Sequence, residues 1–134
     1  MNDTLYLAGP INGRGVSAEL WREKVKRLWQ GRCLDPLRRD YRGSEGLPGA
    51  AAEIVAGDLK DIDDSNAMLV YFDAPSVGTS MEVFYAKAVR KIPVVVLDAS
   101  GRPLSPWLVH HSDAVCTDFG VALATVHSLL RYGK

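Results

Sequence analysis

Apolar stretches of strand length alternate with segments of helical spacing, and that alternation organises the chain. Thr4-Leu5-Tyr6-Leu7-Ala8 reads as a first strand, stopped by Gly9-Pro10. Ser17 then caps a helix that carries Leu20, Trp21, Val25, Leu28 and Trp29 on one stripe. Arg32-Cys33-Leu34-Asp35 predicts a short second strand, closed by Pro36. Residues 36–50 are polar and rich in Gly, Pro and Arg, the composition of a surface loop over one end of a sheet. Loops of that length are often functional. A helix follows over about 51–64, then a strand at 67–71 and a helix over 79–90. Pro93-Val94-Val95-Val96-Leu97 is an unbroken apolar run, as in parallel strands covered on both faces. A short helix near 105–111, a last strand at 114–117 and a C-terminal helix near 119–131 complete the series.

This β/α alternation predicts an α/β fold, a doubly wound sandwich around a parallel sheet of about five strands. In the common strand order 2-1-3-4-5 the chain reverses direction between the first and third strands. Ligands bind outside the carboxyl ends at that switch point. The crevice there would be lined by Ala8-Gly9-Pro10-Ile11-Asn12-Gly13 and by the segment from Phe72 to Gly78. No repeat, low-complexity segment or boundary interrupts the pattern, which reads as one domain over 1–134.

Composition narrows the partners. With 134 residues the chain has enough length to bury a core without metal or disulfide support. Sixteen basic and sixteen acidic residues give a formal net charge of zero, so no field favours a nucleic-acid polymer or a membrane surface. The basic cluster Arg38-Arg39 with Arg42 encloses Asp40 and is too small to change that view. No apolar run approaches the roughly 20 residues of a membrane span, and Met-Asn-Asp-Thr does not begin a secretory leader. Cys33 and Cys116 lie far apart and show no metal-ligand spacing. A reduced, cytoplasmic protein is the simplest expectation. Gly9, Gly13 and Gly15 match neither a dinucleotide fingerprint nor a phosphate loop. His110-His111 and His127 have no metal spacing. No metal or cofactor is expected.

Glu82 is presented by Pro75-Ser76-Val77-Gly78-Thr79-Ser80-Met81-Glu82, a small-residue turn leading into a helix that starts at Thr79. A carboxylate in the first turn of that helix stands at the carboxyl end of a strand and fits a nucleophile aimed at a bound sugar. Thr79-x-x-Glu82 is equally the capping-box pattern, in which the glutamate reaches back to the cap amide. Spacing alone leaves both readings open. Asp58 is the second candidate, because Val55, Asp58, Leu59 and Ile62 share one helix face. Either it reaches water at the edge of that face, or burial raises its pKa and suits it to proton transfer. Tyr6 alternates with Leu5 and Leu7, and its hydroxyl, if buried, needs a partner such as a carboxylate at the switch point. Ser76 and Ser105 read as turn or cap residues. The alternative is that their hydroxyls, with the Gly78 amide, hold an anion such as phosphate. Trp107, in the connection before the last strand, is not assigned to a helix core.

Tyr-Leu-Ala-Gly-Pro at 6–10, Gly-Asp-Leu-x-x-Ile at 57–62 and Pro-Ser-Val-Gly-Thr-Ser-Met-Glu at 75–82, with Ala86, resemble the nucleoside 2-deoxyribosyltransferase family. Their order and separation match too, over nearly the whole chain. The resemblance implies a flavodoxin-like fold and cleavage of the N-glycosidic bond of 2′-deoxynucleosides through a glutamate nucleophile. By resemblance the nucleophile maps to Glu82 and the tyrosine that orients it to Tyr6. The aspartate that contacts the sugar and serves proton transfer maps to Asp58. Substrate binding is expected from Gly9, Pro10, Ile11, Asn12, Ser76, Gly78, Ser105 and Trp107.

One position departs from the transferases that exchange free bases. They typically carry an aspartate six residues before the nucleophile, where this chain has Ser76. Pro-Ser-x-Gly-x-x-x-Glu is more similar to the branch that hydrolyses 2′-deoxynucleoside 5′-monophosphates, in which this serine binds the 5′-phosphate. Leu104-Ser105-Pro106-Trp107 also resembles that branch's segment bearing a second phosphate-contacting serine, given by a neighbouring subunit. Pro10 and Asn12 differ from the Ser and Arg seen there. The implied function is deoxyribosyl transfer between bases, with monophosphate hydrolysis as the alternative. A non-catalytic nucleotide-binding module on the same fold is the second alternative. The implied partners are a small-molecule nucleoside or nucleotide and further copies of the chain, in a homodimer or higher homo-oligomer with shared sites. The apolar segment 105–111 fits such an interface.

Overall fold

The polypeptide, a computed structural model describing residues 3–133, alternates strand and helix throughout. Its strands are β1 (Leu5–Ala8), β2 (Cys33–Leu34), β3 (Ala67–Phe72), β4 (Val94–Asp98) and β5 (Ala114–Cys116). Its α-helices are α1 (Ser17–Leu28), α2 (Ala50–Asp63), α3 (Val77–Phe84), α4 (Pro106–His110) and α5 (Phe119–Tyr132). All strand pairs are parallel, in the order β2-β1-β3-β4-β5. In the centre, Tyr6 lies beside Met68, and Met68 beside Val94. The expected doubly wound α/β fold is the one observed.

Side-chain alternation along the strands divides the core in two. Leu5, Leu7, Leu69, Val95 and Leu97 face α1 and α5, where Trp21, Val25, Ala122 and Val126 meet them. Tyr6, Ala8, Met68, Val70, Val94 and Val96 face the other way, onto Ile62 of α2, Val83 of α3 and Leu108 of α4. Because the central strands are buried on both faces, they read as continuous apolar runs rather than as alternation. Tyr6 is thus directed into the α2/α3 layer by strand parity alone.

Several local expectations are corrected. Ser17 does not cap α1: Val16 holds the cap position without a side-chain bond, and the Ser17 hydroxyl donates to the Arg14 carbonyl at 2.6 Å. Leu20 and Leu28 point outward at 61% and 53% exposure, while Arg22 is fully buried in the same helix. Arg22 lies inside because its guanidinium meets buried acceptors: Ala18 O at 2.7 Å, Gly9 O at 3.2 Å and the Asp35 carboxylate at 3.1 Å. On the face that Val55 shares with Asp58, Leu59 and Ile62, Ile62 is buried while Val55 is exposed. The loop 36–50 opens with a 3₁₀ turn, Pro36–Arg38, capped by Asp35, whose side chain accepts from Leu37 N.

Helix α3 also starts earlier than the sequence suggests. Ser76 is its N-cap, accepting from Thr79 N, and the helix begins at Val77. Thr79 is therefore inside the helix, Glu82 stands in the second turn, and the capping-box role for Glu82 is overturned. The predicted continuation to residue 90 is a π-helical turn, Tyr85–Val89. Cys33 and Cys116 are free thiols on opposite edge strands. No described helix is long and apolar enough to cross a membrane.

Candidate active site

Three side chains from three elements converge beside the carboxyl end of β1 and β3. Tyr6, fully buried on β1, donates its hydroxyl to Glu82 Oε2 at 2.6 Å. A buried phenol needs such an acceptor, and a charged acceptor shortens and strengthens the bond. Glu82 comes from α3. Asp58, from the facing helix α2, stands close enough to Glu82 for the two carboxyls to share a hydrogen bond.

Their surroundings set their protonation. Burial is the main force that pushes Glu82 up to about 8, with the Asp58 charge adding to it and the Tyr6 hydrogen bond and Arg22 opposing it. Asp58 is also raised, first by burial, against the pull of its bonds to Glu82 and Arg39. Tyr6 is held well above its ordinary value, by burial and then by the two carboxylates, so it remains a donor. Two carboxyls this close cannot both ionise readily, and near neutrality they hold one proton between them. That state offers one carboxylate and one acid side by side.

A cavity of about 1200 Å³ opens over the pair, walled by Val55, Leu59, Phe72, Met81 and Trp107. It exceeds the roughly 300–1,000 Å³ usual for small-molecule pockets, so a nucleoside fits with space to spare. Arg14 and Asp73 line the same space and form an ion pair at 3.3 Å, linking the loops that follow β1 and β3. Among the described residues, no group of three or more His, Cys, Asp and Glu side chains is placed to hold a metal ion.

The family model for nucleoside 2-deoxyribosyltransferases matches residues 5–126. The chain belongs to that family. No curated protein matches the chain. Among solved structures, the 2-deoxyribosyltransferase from the psychrotolerant bacterium Bacillus psychrosaccharolyticus is similar, with a TM-score of 0.75 at 19% identity. That likeness covers 92% of this chain and 95% of the other. A conserved protein from Enterococcus faecalis V583 gives a TM-score of 0.76 at 16% identity, over 96% of this chain and 99% of the other. At these identities the two structures show a shared fold.

Within this nucleoside 2-deoxyribosyltransferase fold, the residues expected at the site are placed unevenly. Tyr6, Asp58 and Glu82 come together, and Asp58, Glu82, Gly78, Ser105 and Trp107 line the cavity. Gly9, Pro10, Ile11 and Asn12 are not among its lining residues. Gly9 instead serves close packing: a Cβ there would lie 2.9 Å from both the Trp21 ring and the Tyr71 carbonyl. Ser76 spends its hydroxyl on α3, accepting from Thr79 N at 3.3 Å and from the Thr79 hydroxyl at 3.1 Å. Ser105 likewise caps α4, accepting from Trp107 N at 3.2 Å.

Sequence reasoning passed over the charged residues around the trio. Arg38 binds Asp61 through two bonds, and Arg39 reaches both Asp58 and Asp61. The available signal was the i, i+3 pair Asp58 and Asp61 on one helix, with two adjacent arginines in the preceding loop. Buried Arg22 gave no such signal, because a cation within an amphipathic helix reads as a solvent-facing residue.

Proposed function

We propose that the protein cleaves the N-glycosidic bond of a 2′-deoxynucleoside, or of its 5′-monophosphate, and transfers the sugar to another base through a covalent intermediate on Glu82. The observation that carries this reading is the 2.6 Å bond from buried Tyr6 to Glu82, with Asp58 beside the same carboxyl and both carboxyls lining the cavity. At rest, burial favours the proton on Glu82 and Arg39 favours the charge on Asp58. For the reaction the proton passes to Asp58 and the charge to Glu82, a distribution that the Tyr6 hydroxyl stabilises. As the bond from C1′ to the base nitrogen breaks, its electron pair goes to the base and Asp58 supplies the proton. A Glu82 oxygen bonds to C1′ and quenches the oxocarbenium-like charge. A second base then attacks C1′ from the opposite face, Glu82 leaves, and Asp58 takes the proton back. Two displacements at C1′ retain its configuration.

Monophosphate hydrolysis is the second reading, with water in place of the second base. It is supported by Ser76, which replaces the aspartate of base-exchanging relatives, and by Ser105 at the cavity wall. Met81, Trp107 and Val109 are exposed at 68%, 72% and 50%. Apolar surface of that kind beside the cavity supports a homo-oligomer in which the site is completed by a neighbouring copy. Product analysis with deoxynucleosides and their monophosphates, each with and without an added free base, tests the reading. A new nucleoside only when base is added indicates transfer; base release from monophosphates without it indicates hydrolysis. No glycosidic cleavage of any of them refutes both. Light scattering at the assay concentration reads the assembly.

A further inference from the structure

Asp58 carries a contact that the glycosyl-transfer reading does not use. Arg39, on the loop just beyond the 3₁₀ turn, places Nη2 at 3.1 Å from Asp58 Oδ1 and 2.8 Å from Asp61 Oδ2. Asp61 is buried and is itself gripped by both terminal nitrogens of Arg38, at 2.8 and 2.7 Å. Asp61 is thus a fixed anchor, and through it Arg39 is fixed against Asp58. The guanidinium reaches this position by lying flat on α2 at Gly57. A Cβ on residue 57 would stand 2.9 Å from Arg39 Nε and 3.2 Å from both Cζ and Nη2. A glycine in mid-helix is otherwise unfavourable. Here its bare backbone is the seat of the cation.

We infer that Arg39 is a positioning residue for Asp58, holding one carboxylate oxygen in place and stabilising the anion left after proton donation, and that Gly57 admits its guanidinium to the site. The inference rests on the reading of Asp58 as the proton donor. An acid that gives its proton to a leaving base in a partly buried site must carry a charge afterwards. That charge is costly without a partner. Arg39 holds Oδ1, which leaves Oδ2 as the oxygen to carry the transferred proton.

The other groups around Asp58 do not supply this charge. Asp61 from α2 and Glu82 from α3 are acidic, while Tyr6 from β1 and Tyr41 from the loop are neutral donors. Arg38 is spent on Asp61. Arg14, Arg102 and His111 stand on the cavity wall, and among the described residues Arg39 is the cation that bonds Asp58. The direction of the Asp58 titration agrees, since burial raises it and both the bond and the charge of Arg39 lower it.

Arg39→Gln, Arg39→Lys and Gly57→Ala test this in the full-length protein. Carbon-13 NMR of the Asp58 carboxyl gives its titration midpoint without reference to activity, and kcat and KM on a 2′-deoxynucleoside are measured beside it. In Arg39→Gln and Gly57→Ala the midpoint should rise by about one pH unit. Their kcat should fall at least about tenfold with KM changed less than about twofold. Arg39→Lys, which keeps a cation, should recover part of the lost kcat. Gly57→Ala favours the helix, so its folding is not at risk even if Arg39→Gln is unstable. An Asp58 midpoint unchanged in both variants overturns the inference. So does a loss confined to melting temperature, with kcat at the wild-type value. A wild type that cleaves neither 2′-deoxynucleosides nor their 5′-monophosphates would refute the proposed function instead, and the titration would still decide the role of Arg39.

Discussion

Glu82→Gln should stabilise the protein, and by more as the pH rises. The Glu82 carboxyl titrates at about 8 in the folded protein against an ordinary 4.5. Between those values the native state binds a proton at this position and the unfolded chain does not. The associated stability is fully present below about pH 4.5, declines across the window and is gone above pH 8. At about 1.4 kcal/mol per pH unit, the gap corresponds to a ceiling of ~5 kcal/mol. Asp58 shares the proton and adjusts with it, so about half of that, ~2–3 kcal/mol, is expected for Glu82. Glutamine keeps the size of the side chain and an oxygen to accept from Tyr6, while removing the charge. Urea unfolding of both proteins at pH 5, 7 and 9 measures the difference. The glutamine variant should lie close to wild type at pH 5 and exceed it by ~2–3 kcal/mol at pH 9, with the denaturant slope unchanged. Curves that stay parallel across this range would refute the shared-proton description of the site.

Three further outcomes follow from the same geometry. Tyr6→Phe removes the donor that favours ionised Glu82, so the limb on which kcat/KM rises with pH should move upward by about one to two pH units, the equivalent of a charged hydrogen bond; an unmoved limb in the pH profile would contradict it. Ser76→Ala removes the α3 cap and leaves the buried Thr79 hydroxyl without that partner, at ~1 kcal/mol or about 3–5 °C in Tm. If Ser76 also reads a 5′-phosphate, KM should rise for the monophosphate and not for the nucleoside, whereas equal changes would confine it to capping. Cys33 and Cys116 lie on β2 and β5, at opposite edges of the sheet. Neighbouring strands are about 4.8 Å apart, which puts the pair beyond disulfide reach. Both thiols should titrate in unfolded, unreduced protein, and an internal disulfide would contradict the strand order.

The fold was legible because its signals are strong and local. Val94 to Leu97 reads as a parallel strand covered on both sides, and the turns at Gly9-Pro10 and Pro75-Ser76 mark where strands end at the site. Tyr6 was legible for a similar reason: strand parity sends it to the layer opposite Leu5 and Leu7, where a buried phenol must find an acceptor. The start of α3 was misplaced because Ser76 and Thr79 are both good cap residues, and the sequence does not say which amide each meets. Leu20 and Leu28 were misassigned because helix periodicity defines a stripe but not its width. Arg22 took the inner place, since Gly9 O, Ala18 O and Asp35 converge there only in the folded chain. Arg39 was missed for the same reason. Its partners, Asp58 and Asp61, are about 20 residues away, and nothing local distinguishes it from a solvated loop arginine.

The central claim is that the Glu82 carboxylate attacks C1′. Its most direct measurement is the rate of base release from 2′-deoxynucleosides and their monophosphates by Glu82→Ala and wild type, with Tm recorded for both. Wild type should turn over at least one of these substrates. Glu82→Ala should be folded, with a Tm no lower than a few degrees below wild type, and slower by about 10⁴-fold or more, as for removal of a covalent nucleophile. A folded Glu82→Ala protein that releases base at near the wild-type rate would contradict the claim.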